Sequence, residues 1–445
     1  FALEVVFNPK ITEWTPTYDG RTKEPVTLPV KFPLLLVQGV EGIAVGLSTK
    51  IMPHNFVELI DASISILRGR GMRVYPDFPT GGIADFSQYN DGQRGGKIKV
   101  RARIEQVDAK LLKITEVPFA TTTSSLIDSI IRANEKGKIK IKKIEDNTAE
   151  FVEILIHLPP GVSPDKTIDA LYAFSDCEIS ISPNACIIKN DKPYFMSVSD
   201  ILKQSTAHTL DLLKAELEIL LSEQQALWHF ASLERIFIEN KIYRDIEECE
   251  TWEAVIEAIR KGLQPHIKHL KEPVTEEDIV RLTEIKIKRI SKFDLDKANE
   301  NLKRIEDNIA ELIDKLANLV DYAIDYFKGL KKKYKEGRTR KTEIRTFETI
   351  VASKVAIRNQ KLYFNKEEGF IGTSLRKDEF VCECSDIDNV IVFRSDGKMM
   401  VTKVAAKTFV GKGVIHMAVF KKNDVRTIYN LIYRDGKLGN TYMKR

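Results

Sequence analysis

The stretch GVEGIAVGLSTKIMPHN, from Gly39 to Asn55, sets three glycines, Gly39, Gly42 and Gly46, around Ile43, Ala44 and Val45. Glycines crowded ahead of a helix often bring backbone N–H groups close to phosphate. The spacing argues against a nucleotide. A P-loop needs GxxxxGK[ST] and the dinucleotide fingerprint needs GxGxxG, whereas this run is GxxGxxxG with apolar residues between and Leu47 after the last glycine. On residues alone, close backbone packing with Ile43 as core is the leading interpretation, and an outside partner is the other.

A second group is basic. Arg94, Lys97, Lys99, Arg101 and Arg103 fall on a turn and the strand pattern KIKVRARIEQV (97–107). With a period of two, Lys97, Lys99, Arg101 and Arg103 share one face, either a phosphate track or a solvated strand surface. Lys136, Lys138, Lys140, Lys142 and Lys143 read as a surface strand. In KGLKKKYKEGRTRKTEIR (328–345), nine residues are Lys or Arg and two are Glu. That composition fits a solvated helix end and linker or a nucleic-acid contact.

Other chemistries find no constellation. His266 and His269 lie three apart with no third ligand in view beyond Glu272. The five cysteines, 177, 186, 249, 382 and 384, form no CxxC pair, and Cys382-x-Cys384 reads as buried strand thiols. There is no G-x-S-x-G elbow, and no carboxylate pair is marked for acid–base work. A scaffold that holds something large is the better expectation.

The positioning elements follow from the texture of the chain. Its 445 residues, 43% hydrophobic and 30% charged, suit two to four domains, and the net charge of +5 permits an acidic partner without requiring one. No run approaches the ~18 apolar residues of a membrane span, and no signal peptide is visible. The cysteine usage suits a reducing cytoplasm. Both ends read as cut from a longer protein. Residues 1–30 read as a short apolar segment and connector, and 31–197 as mixed α/β. In that part NFVELIDASISILRG is a helix capped by Asn55, with Glu58 placed for a capping box. Residues 198–336 carry two long helices. The first has its seam at Leu210, Leu213, Leu217, Leu220, Leu227 and Ala231. The second, 297–336, has its seam at Leu302, Ile305, Ile309, Leu312, Leu316, Leu319 and Ala323. The 3-4 spacing predicts an antiparallel coiled coil with a small helical knob over about 241–296. In 337–445, after the basic linker, three hairpin-like repeats, two with Asp-Gly turns at Asp396-Gly397 and Asp435-Gly436, suggest blades of a propeller-like array.

These segments, in order, resemble the A subunit of bacterial type IIA topoisomerases. FPLLLVQGVEGIAVGLSTKIMPHN is similar to that family's N-L-L-x-N-G-x-x-G-I-A-V-G-M-A-T-x-I-P-P-H-N. TYDGRTKEPVTLPVKFP, PDFPTGG (76–82), GQRGGKIKVRARIE and ITEVPF (114–119) match four further family segments. The resemblance implies a multidomain α+β fold: an α/β tower, a coiled coil whose knob is the C-gate, and the first blades of a β-pinwheel. It implies double-stranded DNA as partner, a homodimer through the C-gate, and an A2B2 complex with a B subunit that carries Mg²⁺ and ATP, in the bacterial cytoplasm with the nucleoid. No cofactor is expected on this chain. Ile43 becomes an apolar wedge between base pairs, Gly42 lets the backbone approach, and Arg94, Lys97, Lys99, Arg101 and Arg103 line the DNA. The family's cleaving tyrosine follows an arginine. None of the thirteen tyrosines here does, so no catalytic residue is expected in this chain. KTFVGKG (407–413) keeps the Gly-Lys-Gly of the gyrase DNA-wrapping box without its two arginines, which favours the topoisomerase IV branch over gyrase. A chromosome-organising coiled-coil protein would instead predict Walker motifs, and none is present.

Overall fold

The computed structural model describes residues 1–189, 191–286, 290, 295–348, 350, 360–421, 424, 426–434, 436 and 438–444. The chain divides into two compact units, Phe1–Pro76 with Asp91–Gln93 and Ala185–Thr339, and Asp77–Asn90 with Arg94–Asn184 and Arg340–Arg445.

The first unit is built on the 42-residue helix Val198–Glu239, started by the Ser197 side chain, which accepts from the Asp200 N–H. Leu295–Ala317 packs along it. The pairs Gln224/Asn308, Trp228/Glu306 and Arg235/Asn299 run in opposite senses, so the arms are antiparallel, as the seam predicts. Two details differ from the expectation. The second helix is not continuous over 297–336: it breaks at Asn318 (φ −111°, ψ 42°), whose Nδ2 donates to Asp314, and resumes as Leu319–Tyr334. Leu213, Leu217, Leu302, Ile305 and Ile309 are buried, but Leu220 and Leu227 are exposed. A straight helix drifts relative to a seven-residue repeat, so the buried face turns towards Leu233, Ile236 and Phe237. Those residues join Ile256 and Ile259 of Trp252–Leu263 and Ile279 and Leu282 of Glu276–Thr283 in the core of a helical knob.

At the other end of the arm, Phe56–Leu67 packs against Leu319–Tyr334 through Phe56, Ile60, Ile64, Ile324 and Phe327. Asn55 caps the former, its Oδ1 accepting from the N–H groups of Val57 and Glu58. Part of the basic run is already engaged here. Lys331 pairs with Asp61 at 2.7 Å, Lys333 with Glu4 at 2.6 Å, and Arg338 lies over the Phe56 ring.

In the second unit, one four-stranded sheet runs Glu178–Ile181, Lys97–Arg101, Ile83–Gln88, Glu343–Ile344, the last pair parallel. A second runs Arg103–Asp108, Leu111–Glu116, Ile154–His157, Lys143–Asp146. The single strand expected over 97–107 is therefore two strands in two sheets. Ala102, fully buried, is the corner: its N–H donates to the Cys177 carbonyl and its own carbonyl accepts from Tyr172 Oη. The helices Thr123–Glu135 and Pro164–Phe174 help cover a core of Leu112, Ile114, Leu126, Ile130, Ile154 and Leu171.

The C-terminal repeats form the predicted hairpins. Asn389–Arg394 pairs with Met399–Lys403 through the Asp396-Gly397 turn, Gln360–Asn365 with Phe370–Gly372, and Leu431–Arg434 with Thr441–Lys444. Asp435, of the second expected Asp-Gly turn, lies outside the described residues. The strands fall in sheets of four, three and two; the first two share a core that includes Leu362, Phe364, Cys384, Val390 and Val392. Among the described residues they close no propeller.

Candidate nucleic-acid interface

The glycine-rich stretch is a β-hairpin. Val40–Ala44 pairs with Leu47–Ile51 in the register Gly42↔Thr49, Ile43↔Ser48, Ala44↔Leu47, and Val45-Gly46 make the two-residue turn. The glycines have separate tasks. Gly39 has φ +67°, and a Cβ there would stand 2.7 Å from the Ile51 carbonyl oxygen and the Pro53 nitrogen, so this position closes the hairpin base. Gly46 supplies the positive φ of the turn, +77°. Gly42 has neither need: its φ is ordinary and nothing lies within 4 Å of its Cβ position.

Ile43 is 91% exposed and Val45 104%. The expectation that Ile43 belongs to a core does not hold. The hairpin is held at its root, where Thr49 Oγ1 accepts from the Cys186 N–H at 3.2 Å and Glu41 and Lys50 pair across the strands at 2.8 Å. Its tip presents two stiff, β-branched side chains to the outside. Val45 was not singled out in the sequence. No signal marks it, since Val45-Gly46 is not one of the Asn-Gly or Asp-Gly pairs that announce a two-residue hairpin in a sequence.

The basic residues divide. Arg94 and Lys97 are exposed, with no ion pair among the described residues. Lys99 stands 3.6 Å from Glu178. Arg101 donates from Nε to Glu178 at 2.7 Å, its side chain only 14% exposed. Its guanidinium lies 4.6 Å from the Tyr172 ring centre and 4.1 Å from that of Phe347, a stacked, desolvated cation. Arg103 bridges Glu116 and Glu343, each at 3.0 Å, and Glu116 also accepts from the Gly82 N–H. The hydrogen bonds from Arg103 and then Arg345 hold the Glu343 carboxyl below its ordinary range. Arg103 also sits past the Ala102 corner, so the single basic face expected from alternation ends at Arg101. The partners of Arg101 and Arg103 lie 77, 13 and 240 residues away in sequence, so no local pattern announces them.

Among the described residues no group of three His, Cys, Asp or Glu side chains is placed to hold a metal ion. No described helix is long and apolar enough to cross a membrane.

The hairpin thus carries an exposed apolar tip on a braced base, and comparison with known proteins gives the family. Residues 2–328 match the family of the DNA gyrase/topoisomerase IV A subunit, and residues 361–445 match the topoisomerase C-terminal domain of Bacteroidota. The A subunit of DNA topoisomerase 4 from Borreliella burgdorferi is 38% identical over 445 residues, covering 100% of this chain and 71% of that protein. The A subunit of DNA gyrase from Lawsonia intracellularis is 32% identical over 234 residues, 49% of this chain and 28% of that protein. The A subunit of DNA topoisomerase 4 from Rickettsia conorii is 32% identical over 232 residues, 47% of this chain and 31% of that protein. The chain belongs to the family of DNA gyrase and topoisomerase IV A subunits.

Proposed function

We propose that this chain is the DNA-binding, gate-forming A subunit of an ATP-dependent type IIA topoisomerase of the topoisomerase IV kind, which passes one duplex through a transient double-strand break to decatenate and relax DNA. The observation that carries this reading is Ile43, almost fully exposed at the tip of a hairpin fixed at its root. It is supported by similarity along the whole chain to the A subunit of a DNA topoisomerase 4. In this reading Ile43 enters a base step. Unstacking a step costs a few kcal/mol, offset by the contacts that a bent duplex gains. Gly42 leaves room for the duplex, and Arg94 and Lys97 meet phosphate. Lys99, Arg101 and Arg103 contribute chiefly by holding their sheets.

The knob on the helical arm is the place where a second copy meets the first, as a C-gate. The C-terminal hairpins are blades of a DNA-binding pinwheel. A partner B subunit in an A2B2 assembly supplies Mg²⁺ and ATP, in the bacterial cytoplasm. No tyrosine here follows an arginine, so these residues do not cleave DNA unaided. The gyrase reading is weaker because 407–413 lacks the paired arginines.

The test is duplex bending, read by energy transfer between end labels with the whole chain bound. Ile43→Ala is expected to straighten the DNA while binding persists through the phosphate contacts. A bend identical to that of the unaltered chain would end the wedge assignment.

A further inference from the structure

A second hairpin, not singled out in the sequence, lies in the same unit. Cys186–Lys189 pairs with Lys192–Phe195 in the register Cys186↔Phe195, Ile187↔Tyr194, Ile188↔Pro193, Lys189↔Lys192. Opposed residues share a face, and the face changes with each step along a strand. Ile187, Lys189, Lys192 and Tyr194 therefore stand on one side of the ribbon. Lys189, Lys192 and Tyr194 are all exposed, and neither lysine has an ion pair among the described residues. Asp191, in the turn, has φ +59°. The hairpin is not isolated. Cys186 donates its N–H to Thr49 Oγ1, and its strand packs beside Leu47–Ile51, the second strand of the Ile43 hairpin.

We infer that hairpin 186–195 is a second duplex-contacting element, braced on the Ile43 hairpin, with Lys189 and Lys192 on phosphates and Tyr194 against the sugar edge. Three observations converge. Two unengaged ammonium groups oppose each other beside a tyrosine, a pairing of charge and flat ring suited to a nucleic-acid backbone. A two-stranded ribbon is narrow enough to follow a groove. A direct hydrogen bond joins this ribbon to the one that carries the wedge. The contrast with Arg101 and Arg103, whose charges are spent on internal carboxylates, makes Lys189 and Lys192 the better phosphate ligands. This inference rests on the proposed gate-DNA function.

The experiment compares duplex affinity of the whole chain and of Lys189→Ala/Lys192→Ala across roughly 50 to 200 mM salt. Losing two phosphate contacts lowers the slope of log affinity against log salt by about 1.8 and weakens binding several-fold at the low-salt end. The Lys189→Arg/Lys192→Arg chain keeps the slope. Tyr194→Ala weakens binding a few-fold with the slope unchanged. An unaltered slope in the double alanine chain, while Ile43→Ala straightens the DNA, overturns this assignment and leaves the proposed function standing. A chain that ignores duplex DNA even at low salt overturns both.

Discussion

Ile43 and Arg101 both sit on short β-elements, and their side chains meet opposite surroundings. Ile43 is an apolar group in water, 91% exposed, on a hairpin whose polar bonds lie at its root. Arg101 is a cation out of water, 14% exposed, flanked by two rings and joined to Glu178. Each arrangement reverses what the residue type leads one to expect. An exposed isoleucine adds little to the folded chain, and the use proposed for it lies outside the protein. A buried arginine with its partner in place holds a sheet together, and its use lies inside. The charge of a residue is thus a weaker guide to DNA contact than whether that charge is already spent.

The comparison breaks most easily at Arg101. Arg101→Ala removes a guanidinium stacked on two rings and leaves the half-buried Glu178 with only the longer pair to Lys99, so a loss on the order of 2 kcal/mol is expected. Urea unfolding at neutral pH measures it. Ile43→Ala in the same assay is expected within about 0.5 kcal/mol of the unaltered chain, because an exposed side chain leaves no cavity. Equal losses would erase the distinction. Gly39→Ala comes next. A methyl group there faces backbone atoms at 2.7 Å with φ +67°, so roughly 1–3 kcal/mol is expected, with the register of the hairpin root disturbed. Loss of amide-exchange protection over 47–51 reports it.

The sequence carried the α/β composition of the first part, the Asn55 cap, the antiparallel arms, the knob and the C-terminal hairpins, because periodicity, capping and turn chemistry are local. What it did not carry was non-local. The break at Asn318 interrupts an apolar pattern that reads as continuous. The corner at Ala102 depends on Cys177 and Tyr172, some seventy residues on. Leu220 and Leu227 keep the right spacing and still face water, because the arm rotates as it approaches the knob. Ile43 reads from the sequence as core or as a contact for another body, and its exposure removes the first of these. Lys189 and Lys192 carry no sequence signal, because two lysines beside a turn look like ordinary surface.

Acid sharpens the inward side of the comparison. Glu343 is held below the ordinary glutamate value of 4.5 by Arg103 and then Arg345. A depressed carboxyl contributes stability that is present above the unfolded value and lost as pH falls through the folded one. The unit holding Arg103 is therefore expected to keep its stability from pH 7 to about 5 and lose it progressively below about 4.5. In Arg103→Ala the Glu343 carboxyl returns towards its ordinary value, so this chain starts less stable and its acid limb is shallower. Parallel acid limbs in the two chains would mean that the bridge carries no linkage. The tip residues of the Ile43 hairpin do not titrate, so wedge-dependent DNA bending at moderate pH should not follow that limb.

The smallest expected effect is the most discriminating. Gly42 has an ordinary φ and nothing within 4 Å of its Cβ position, so the folded chain offers no reason for glycine there. Gly42→Ala should leave stability unchanged or raise it by a few tenths of a kcal/mol, since alanine restricts the unfolded chain. If the hairpin works only within the protein, DNA binding and bending should be equally indifferent. If the duplex comes down onto the backbone beside Ile43, the added methyl group meets DNA rather than protein. Bending then weakens in a chain that folds as well as before. A change in bending with no change in stability locates the reason for this glycine outside the molecule, where the exposure of Ile43 already points.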